Sequence, residues 1–308
     1  MDEIRFDGQT AIVTGAGSGL GRCYARELAA RGAAVVCNDI VVAAAESIVE
    51  EIRSGSGKAV PETSSVADPD GGEAMVRTAL DAFGSLEVLV NNAGQLRNAA
   101  FEDLSVEDFD DVIRTHLSGA FYVTQPAYRH MKDVGYGRIL FTSSSAGLFG
   151  LPWQANYAAA KAGVVGLCNV LAQEGAEYGI TANAFLPQAL GTNAGGESHT
   201  LYSPEELTEI TRVFGRVARY MTVDNVAPLV LYLASRECEL TGRIFAAGCG
   251  RVADVFIGAA RGWFAPDRTK SSVEDVAEHI DEASDRSDYV TFASALEEIR
   301  FIGAQHDR

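Results

Sequence analysis

The run Thr14-Gly15-Ala16-Gly17-Ser18-Gly19-Leu20-Gly21 sits directly between an apolar segment, Ala11-Ile12-Val13-Thr14, and a helical pattern over 19–31. Glycines in that place permit a tight turn and let the backbone come close to a pyrophosphate. The helix that follows turns free N–H groups and the positive end of its dipole toward the same anion. A glycine-rich run elsewhere would carry little weight; this one lies where the mechanism needs it. Gly15, Gly17, Ser18, Gly19, Leu20 and Gly21 are therefore candidate cofactor-binding residues, and the chain opens on a strand–turn–helix unit.

The rest of the chain extends that unit. Short apolar runs at Ala34-Val35-Val36-Cys37, Lys58-Ala59-Val60, Val88-Leu89-Val90, Ile139-Leu140-Phe141-Thr142, Ala182-Asn183-Ala184-Phe185 and Ile244-Phe245-Ala246 read as further strands. Several lack polar alternation, as strands buried on both faces of a parallel sheet do. Helical patterns near 41–54, 71–83, 106–131, 156–178 and 224–235 lie between them. This alternation predicts an α/β fold with a doubly wound sheet and right-handed crossovers. Two regions stand outside it. Residues 190–215 begin with Gly191, Gly195 and Gly196 and continue into Ser203-Pro204-Glu205-Glu206, a helix start with a capping box. They read either as a lid over a site or as a plain surface excursion. Residues 251–308 form a C-terminal helical extension to a domain spanning 1–250, packed on the same domain or on a partner subunit. Ser271-Ser272-Val273-Glu274 is read as its capping box, with an amphipathic helix through Val276 and Ile280 and a further helix near 291–300.

Asp39 ends the second strand, 18 residues after Gly21. An acid there accepts hydrogen bonds from a ribose 2′-hydroxyl and repels a 2′-phosphate. Its neighbours Asn38, Ile40 and Val41 supply no cation, and Arg22 alone does not reverse the reading. NAD is expected, with NADP less favoured; the competing reading is that Asp39 only caps the next helix. Further along, Tyr157 and Lys161 stand four residues apart, one turn apart on one helical face. A free tyrosine, with a pKa of about 10, is a poor base at neutral pH. A nearby ammonium favours the phenolate. The pair is a candidate acid/base for an alcohol or a ketone, and the spacing alone is common on helices that do no chemistry.

Bulk properties remove some classes. The formal net charge is −17 and the pI is near 4.7. Such a surface repels phosphate backbones, so nucleic acid is not an expected partner. Five widely spread cysteines without a Cys-x-x-Cys pair read as free thiols in a reducing compartment, not as a disulfide frame or a metal site. No apolar run approaches a membrane span. The N-terminus lacks a secretory pattern and the last residues do not form a peroxisomal address, so the expected location is cytoplasmic.

Taken together, and in this order, four features resemble the short-chain dehydrogenase/reductase family. They are the Thr-Gly-x-x-x-Gly-x-Gly cradle, Asn91-Asn92-Ala93-Gly94 after the fourth strand, a serine after the fifth strand, and Tyr-x-x-x-Lys. The resemblance covers roughly residues 7–250 and implies a single Rossmann domain with a seven-stranded parallel sheet, in a homodimer or homotetramer. By the same resemblance Ser144, thirteen residues before Tyr157, holds the substrate oxygen. Ser143 and Ser145 are then expected to be local backbone partners. Lys161 lowers the tyrosine pKa and bonds the nicotinamide ribose. Asn92, Ala93 and Gly94 line the cofactor, and Pro187 and Thr192 fall where the family positions the nicotinamide amide. Ser65 and Val66 stand where the family has an acid on the adenine amino group, which puts that contact in doubt. Gln188, not glycine, follows Pro187.

His116 replaces the asparagine that in many members anchors a proton-relay water. It reads either as a relay, having a pKa near neutrality, or as a buried, backbone-bonded histidine. The sequences around His116, Ser144 and Gln154-Ala155-Asn156-Tyr157 are similar to the (3R)-hydroxyacyl-CoA dehydrogenase, or 17β-hydroxysteroid dehydrogenase, domain of peroxisomal multifunctional enzymes. Leu148, Phe149, Leu151 and Trp153, with Leu190, Leu201, Tyr202 and Phe214, imply an apolar pocket. The expected function is NAD-dependent interconversion of a secondary alcohol and a ketone, on a 3-hydroxyacyl-CoA whose phosphates Arg97, Arg251, Arg261, Arg268 or Lys270 would meet. The alternatives are a dehydrogenase of free hydroxysteroids or other bulky alcohols, and a non-catalytic NAD-sensing protein.

Overall fold

Every strand expected from an apolar run is present. In a computed structural model, residues 3–189, 208, 212–213, 215–267 and 270–306 are described. Most of the expected lid, with Leu190, Thr192, Leu201, Tyr202, Phe214 and the Ser203 capping box, lies outside the described residues, as does Arg268. The chain divides into two compact units, Met1–Asp254 and Val255–Arg308.

The strands of the main sheet are β1 (Thr10–Thr14), β2 (Ala34–Asn38), β3 (Lys58–Glu62), β4 (Val88–Asn91), β5 (Gly137–Thr142), β6 (Ile180–Gln188), β7 (Ile244–Gly248) and β8 (Arg251–Val255). They lie in the order β3-β2-β1-β4-β5-β6-β7-β8. The pairs from β3 to β7 are all parallel. β1, β2 and β5 are buried along their whole length, which is why their sequences carry no polar alternation. The order reverses between β1 and β4, and that switch point opens a crevice at the carboxyl ends of the strands.

The sheet has eight strands, not the seven expected. The eighth comes from the start of the presumed helical extension. Its connection to β7 is two residues, Cys249 and Gly250, with φ of 53° and 72°. Two positive φ values in a two-residue loop make a type I′ turn, and so short a link joins only antiparallel neighbours.

Six helices pack around the switch point: α1 (Gly19–Ala30), α2 (Val42–Ser54), α3 (Pro69–Phe83), α4 (Val106–Ile113), α5 (Gly119–Val134) and, after β5, a short α6 (Ser145–Phe149). α7 (Ala155–Glu174) follows, and α8 (Ala227–Ala234) precedes β7. The single long helix expected over 106–131 is interrupted. Arg114–Ser118 forms one π-helical turn between α4 and α5. An inserted residue of this kind leaves the apolar periodicity nearly intact and is often found at functional sites.

The second unit holds α9 (Val273–Glu278), α10 (Ile280–Ala283), α11 (Ala295–His306) and a two-stranded antiparallel ribbon, β9 (Ala259–Ala260) with β10 (Tyr289–Val290). The capping box is one residue later than expected: Ser272 caps α9 and Asp275 answers it. Its rings pair as Phe256 with Tyr289, Trp263 with His279 and Phe292 with Phe301.

Candidate active site

The cradle at the end of β1 is closed so tightly that side chains are excluded from it. Gly15 has φ of 65°, and a Cβ there would lie 2.9 Å from Ala93 Cα. A Cβ on Gly21 would lie 2.1 Å from the Gly15 carbonyl oxygen and 2.6 Å from Asn92 Nδ2. Asn92 braces the turn: its Nδ2 donates to the Thr14 carbonyl at 2.9 Å, and its backbone N–H donates to Thr14 Oγ1 at 2.9 Å. Ala93 N–H reaches the same hydroxyl at 3.0 Å. Ser18 caps α1 without a side-chain hydrogen bond to the helix amides. The residues therefore fit a dinucleotide, with bare backbone where a pyrophosphate needs close approach.

Asp39 bonds two backbone groups, one in the cradle and one at the start of α2. One carboxylate oxygen accepts the Gly17 N–H at 3.0 Å and holds the cradle; the other accepts Val41 N–H at 3.0 Å and starts the turn into α2. Arg22 has its guanidinium on Glu51 and on the Gly17 carbonyl at 3.2 Å. Ser65 and Val66 lie in the turn before α3, where Ser65 Oγ accepts Ala67 N–H at 3.2 Å and Val66 is buried. Glu62, at the end of β3, is buried and holds Asn38 Nδ2 at 2.7 Å and Ser64 N–H at 3.0 Å.

Across the switch point, α7 carries Tyr157 and Lys161 one turn apart. Lys161 Nζ lies 5.6 Å from the centre of the Tyr157 ring and donates to the Thr142 carbonyl at 2.6 Å. Burial pushes the Lys161 ammonium down to about 7, because a low dielectric penalises the charged form. Ser144 is the N-cap of α6, its Oγ accepting Ala146 N–H at 3.2 Å. Gly147 lets α6 approach: a Cβ there would lie 2.8 Å from the Lys161 backbone. The flanking serines are not the local backbone partners expected. Ser143 Oγ donates across to the Lys161 carbonyl at 2.7 Å, and Ser145 Oγ accepts Gln188 Nε2 at 2.9 Å. Both tie the serine turn to its neighbours. Pro187 and Gln188 end β6 beside Ala247 and Gly248.

His116 sits in the π turn and is 6% exposed. Its ring meets that of Tyr157 edge-on, 5.2 Å between centres, and fills the space that a side chain at Gly94 would need. Its Nε2 is 2.7 Å from the Gln95 carbonyl and 3.0 Å from the Gln95 N–H. Burial, and secondarily the Lys161 charge, push its pKa down to about 3. The ring is neutral at every physiological pH.

Two residues take positioning roles that the sequence reading did not give them. Asn156, fully buried, donates to the carbonyls of Arg97 at 2.8 Å and Asp108 at 3.2 Å, and accepts the Tyr157 N–H at 2.7 Å. It ties the loop after β4 and the helix α4 to the first turn of α7. Its place directly before the tyrosine was the available signal. Trp153 holds φ of 68° and accepts Ala99 N–H at 3.1 Å. A bulky residue in that region is strained, and such strain gathers at functional sites. Phe149 and Leu151, which with Trp153 were expected to wall the substrate, are both exposed.

Known proteins are similar to this chain over most of its length. A family model described as short chain dehydrogenase matches residues 9–201. The mouse peroxisomal multifunctional enzyme type 2 is 45% identical over 256 residues, covering 80% of this chain and 32% of that protein. This chain thus spans about a third of its relative. A 3-oxoacyl-(acyl-carrier-protein) reductase of Thermotoga maritima is 35% identical over 250 residues, covering 81% of this chain and all of that one. Among solved structures, full-length peroxisomal multifunctional enzyme type 2 from Drosophila melanogaster superposes with a TM-score of 0.78 at 33% identity. That match covers 98% of this chain and 50% of that one. Cradle, brace, serine turn and Tyr-x-x-x-Lys helix, with these matches, establish that the chain is an oxidoreductase belonging to the short-chain dehydrogenase family, whose members bind nicotinamide cofactors.

Proposed function

We propose that the chain is an NAD-dependent dehydrogenase of 3-hydroxyacyl-CoA thioesters, with Ser144, Tyr157 and Lys161 as its catalytic residues. The observation that carries the reaction class is the buried Lys161, one turn from Tyr157 and anchored on the Thr142 carbonyl. Similarity to multifunctional enzymes and to a 3-oxoacyl reductase supports the acyl thioester. Asp39 on the cradle, and Arg22 occupied by Glu51, support NAD over NADP.

In oxidation, Tyr157 as phenolate takes the proton of the substrate hydroxyl while Ser144 hydrogen-bonds the same oxygen and steadies its developing charge. Lys161 supplies the positive charge that favours the phenolate. When bound, nicotinamide supplies the hydride chemistry. Asn156 fixes the backbone of the tyrosine turn, and in reduction the proton moves in the opposite direction. Exposed Phe121 and Val134 on α5 and Val170 on α7 suit the homodimer or homotetramer that family membership implies. Five free cysteines suit a reducing cytoplasm.

The test follows NADH formation by purified protein against 3-hydroxyacyl-CoAs, the matching free acids, hydroxysteroids and small alcohols, with NAD and NADP side by side. The expected result is turnover of the CoA thioesters with NAD. Turnover confined to free steroids or alcohols contradicts the thioester, and a preference for NADP contradicts the role given to Asp39.

A further inference from the structure

The pairing of β5 with β6 continues one residue past the strand. Ser143 N–H donates to the Phe185 carbonyl at 2.8 Å, so the serine turn leaves the sheet beside the last residues of β6. Two polar side chains meet there: Gln188 Nε2, from β6, donates to Ser145 Oγ, from α6, at 2.9 Å. Both residues are half-buried, as Ser144 is. They stand at the carboxyl ends of the strands, where an open α/β sheet takes its ligands. The neighbouring strand makes the room. Gln188 is in register with Gly248 of β7, whose φ is 149°, and a Cβ on that glycine would run into the Cβ and carbonyl of Gln188. Glycine on β7 is therefore a condition for glutamine on β6.

Counting hydrogen bonds shows what this pair has left. A serine hydroxyl has one donor and two acceptor sites, and a primary amide has two N–H donors and a carbonyl. Among the described residues the Ser145 side chain makes this one bond, as acceptor, and its proton is unspent. Turning the amide over does not change the outcome: Ser145 would then donate to Gln188 Oε1, and both N–H groups would be free. Either way the pair keeps a donor one residue from Ser144. The turn has a separate, buried fastening in Ser143, whose Oγ donates to the Lys161 carbonyl at 2.7 Å.

We propose that Ser145 and Gln188 form a carbonyl-recognition subsite, whose unspent donor bonds the thioester carbonyl at C1 of a substrate held by its C3 oxygen on Ser144 and Tyr157. The inference rests on the thioester reading and deepens it, by naming the residues that select for the position of the reacting oxygen. In a 3-hydroxyacyl or 3-oxoacyl thioester only C2 separates the two oxygen-bearing carbons, so both oxygens can lie on one side of the chain and meet adjacent residues. A thioester carbonyl accepts hydrogen bonds and cannot donate, which matches a donor. It is uncharged, which matches a neutral pair. A steroid or plain alcohol without a carbonyl at that spacing leaves the donor unanswered, and a site built to hydrogen-bond a group rejects the analogue that lacks it. No step of the chemistry passes through the pair; it sets which molecule is turned over.

Two measurements decide it. In a crystal structure of the whole protein with NAD and a 3-oxoacyl-CoA, both oxidised and unable to react, the C1 oxygen is expected within hydrogen-bond distance of Ser145 Oγ or the Gln188 amide nitrogen. A C1 oxygen placed elsewhere overturns the proposal. In solution, NADH-linked kcat/KM is compared for a 3-oxoacyl-CoA and a methyl ketone of the same chain length, in wild type, Ser145→Ala, Gln188→Leu and the double variant. The thioester-to-ketone ratio is expected to fall about tenfold in each single variant, the equivalent of about 1.4 kcal/mol. It should fall no further in the double variant, because the two residues act as one. Ser145→Thr keeps a hydroxyl and should keep the ratio. A role confined to bracing the serine turn lowers both substrates together, so an unchanged ratio in Ser145→Ala and Gln188→Leu overturns the subsite. Thioester turnover with that unchanged ratio defeats this inference alone; a wild type that reduces no thioester defeats the thioester reading and the subsite with it.

Discussion

On the β1–α1 side of the switch point the site is made of backbone. Gly15, Gly17 and Gly21 leave no volume for a side chain, and Asn92 and Asp39 act by bonding main-chain groups. On the β4–α7 side it is made of buried side chains. His116 and Lys161 are both nearly out of water, and each has its pKa moved by that burial. The cradle is therefore a matter of shape and is sensitive to added volume. The catalytic side is a matter of charge and is sensitive to pH and to the loss of single polar atoms.

The largest expected effect lies on the catalytic side. The folded Lys161 value near 7 lies below its ordinary value of 10.5. Between those values the unfolded chain binds the extra proton, so stability rises with pH through that window and is lost as pH falls toward 7. His116, near 3 when folded against an ordinary 6.5, acts with the same sign between pH 3 and 6.5. Chemical denaturation at pH 7 and pH 10 should show the cofactor-free wild type gaining on the order of 3–5 kcal/mol from Lys161. Lys161→Met should lack that part of the gain; identical pH dependence in the two proteins would place the lysine in water.

On the cradle side, Gly21→Ala should weaken NADH binding about thirtyfold or more, the equivalent of about 2 kcal/mol of overpacking, with little pH dependence. Titration by fluorescence measures it. Asp39→Ser should narrow the preference for NADH over NADPH about tenfold, near 1.4 kcal/mol; an unchanged preference would reduce Asp39 to a turn residue. Gly166→Ala sharpens the contrast from the opposite sign. Nothing lies within 4 Å of a Cβ at this position in α7, so the same substitution should stabilise the protein by roughly 0.5–1 kcal/mol in thermal or chemical unfolding.

The two sides also differ in how far the sequence reveals them. The cradle, Asp39 and Asn92 were legible because backbone geometry needs particular residues at particular spacings. Strands β1, β2, β4 and β5 were legible because full burial writes continuous apolar runs, while the half-exposed β3 left a weaker one. The π turn was not, since one extra residue hardly disturbs a helical period and His116 alone does not announce its neighbours. β8 was missed because Arg251–Val255 is an exposed edge entered through Cys249-Gly250, a pair that does not advertise a type I′ turn. The five-residue α6 was too short for any periodicity. Ser143 and Ser145 were misjudged because their partners, Lys161 and Gln188, are distant in the chain and near only once the sheet has formed.

The central claim is that Tyr157 performs the proton transfer in a site whose cofactor half stands apart from it. Tyr157→Phe tests it most directly, with NAD-linked turnover of a 3-hydroxyacyl-CoA and NADH affinity measured on the same preparation. The predicted result is a loss of kcat of at least about a hundredfold with NADH affinity unchanged. Retained turnover, or loss of NADH binding together with activity, would contradict it.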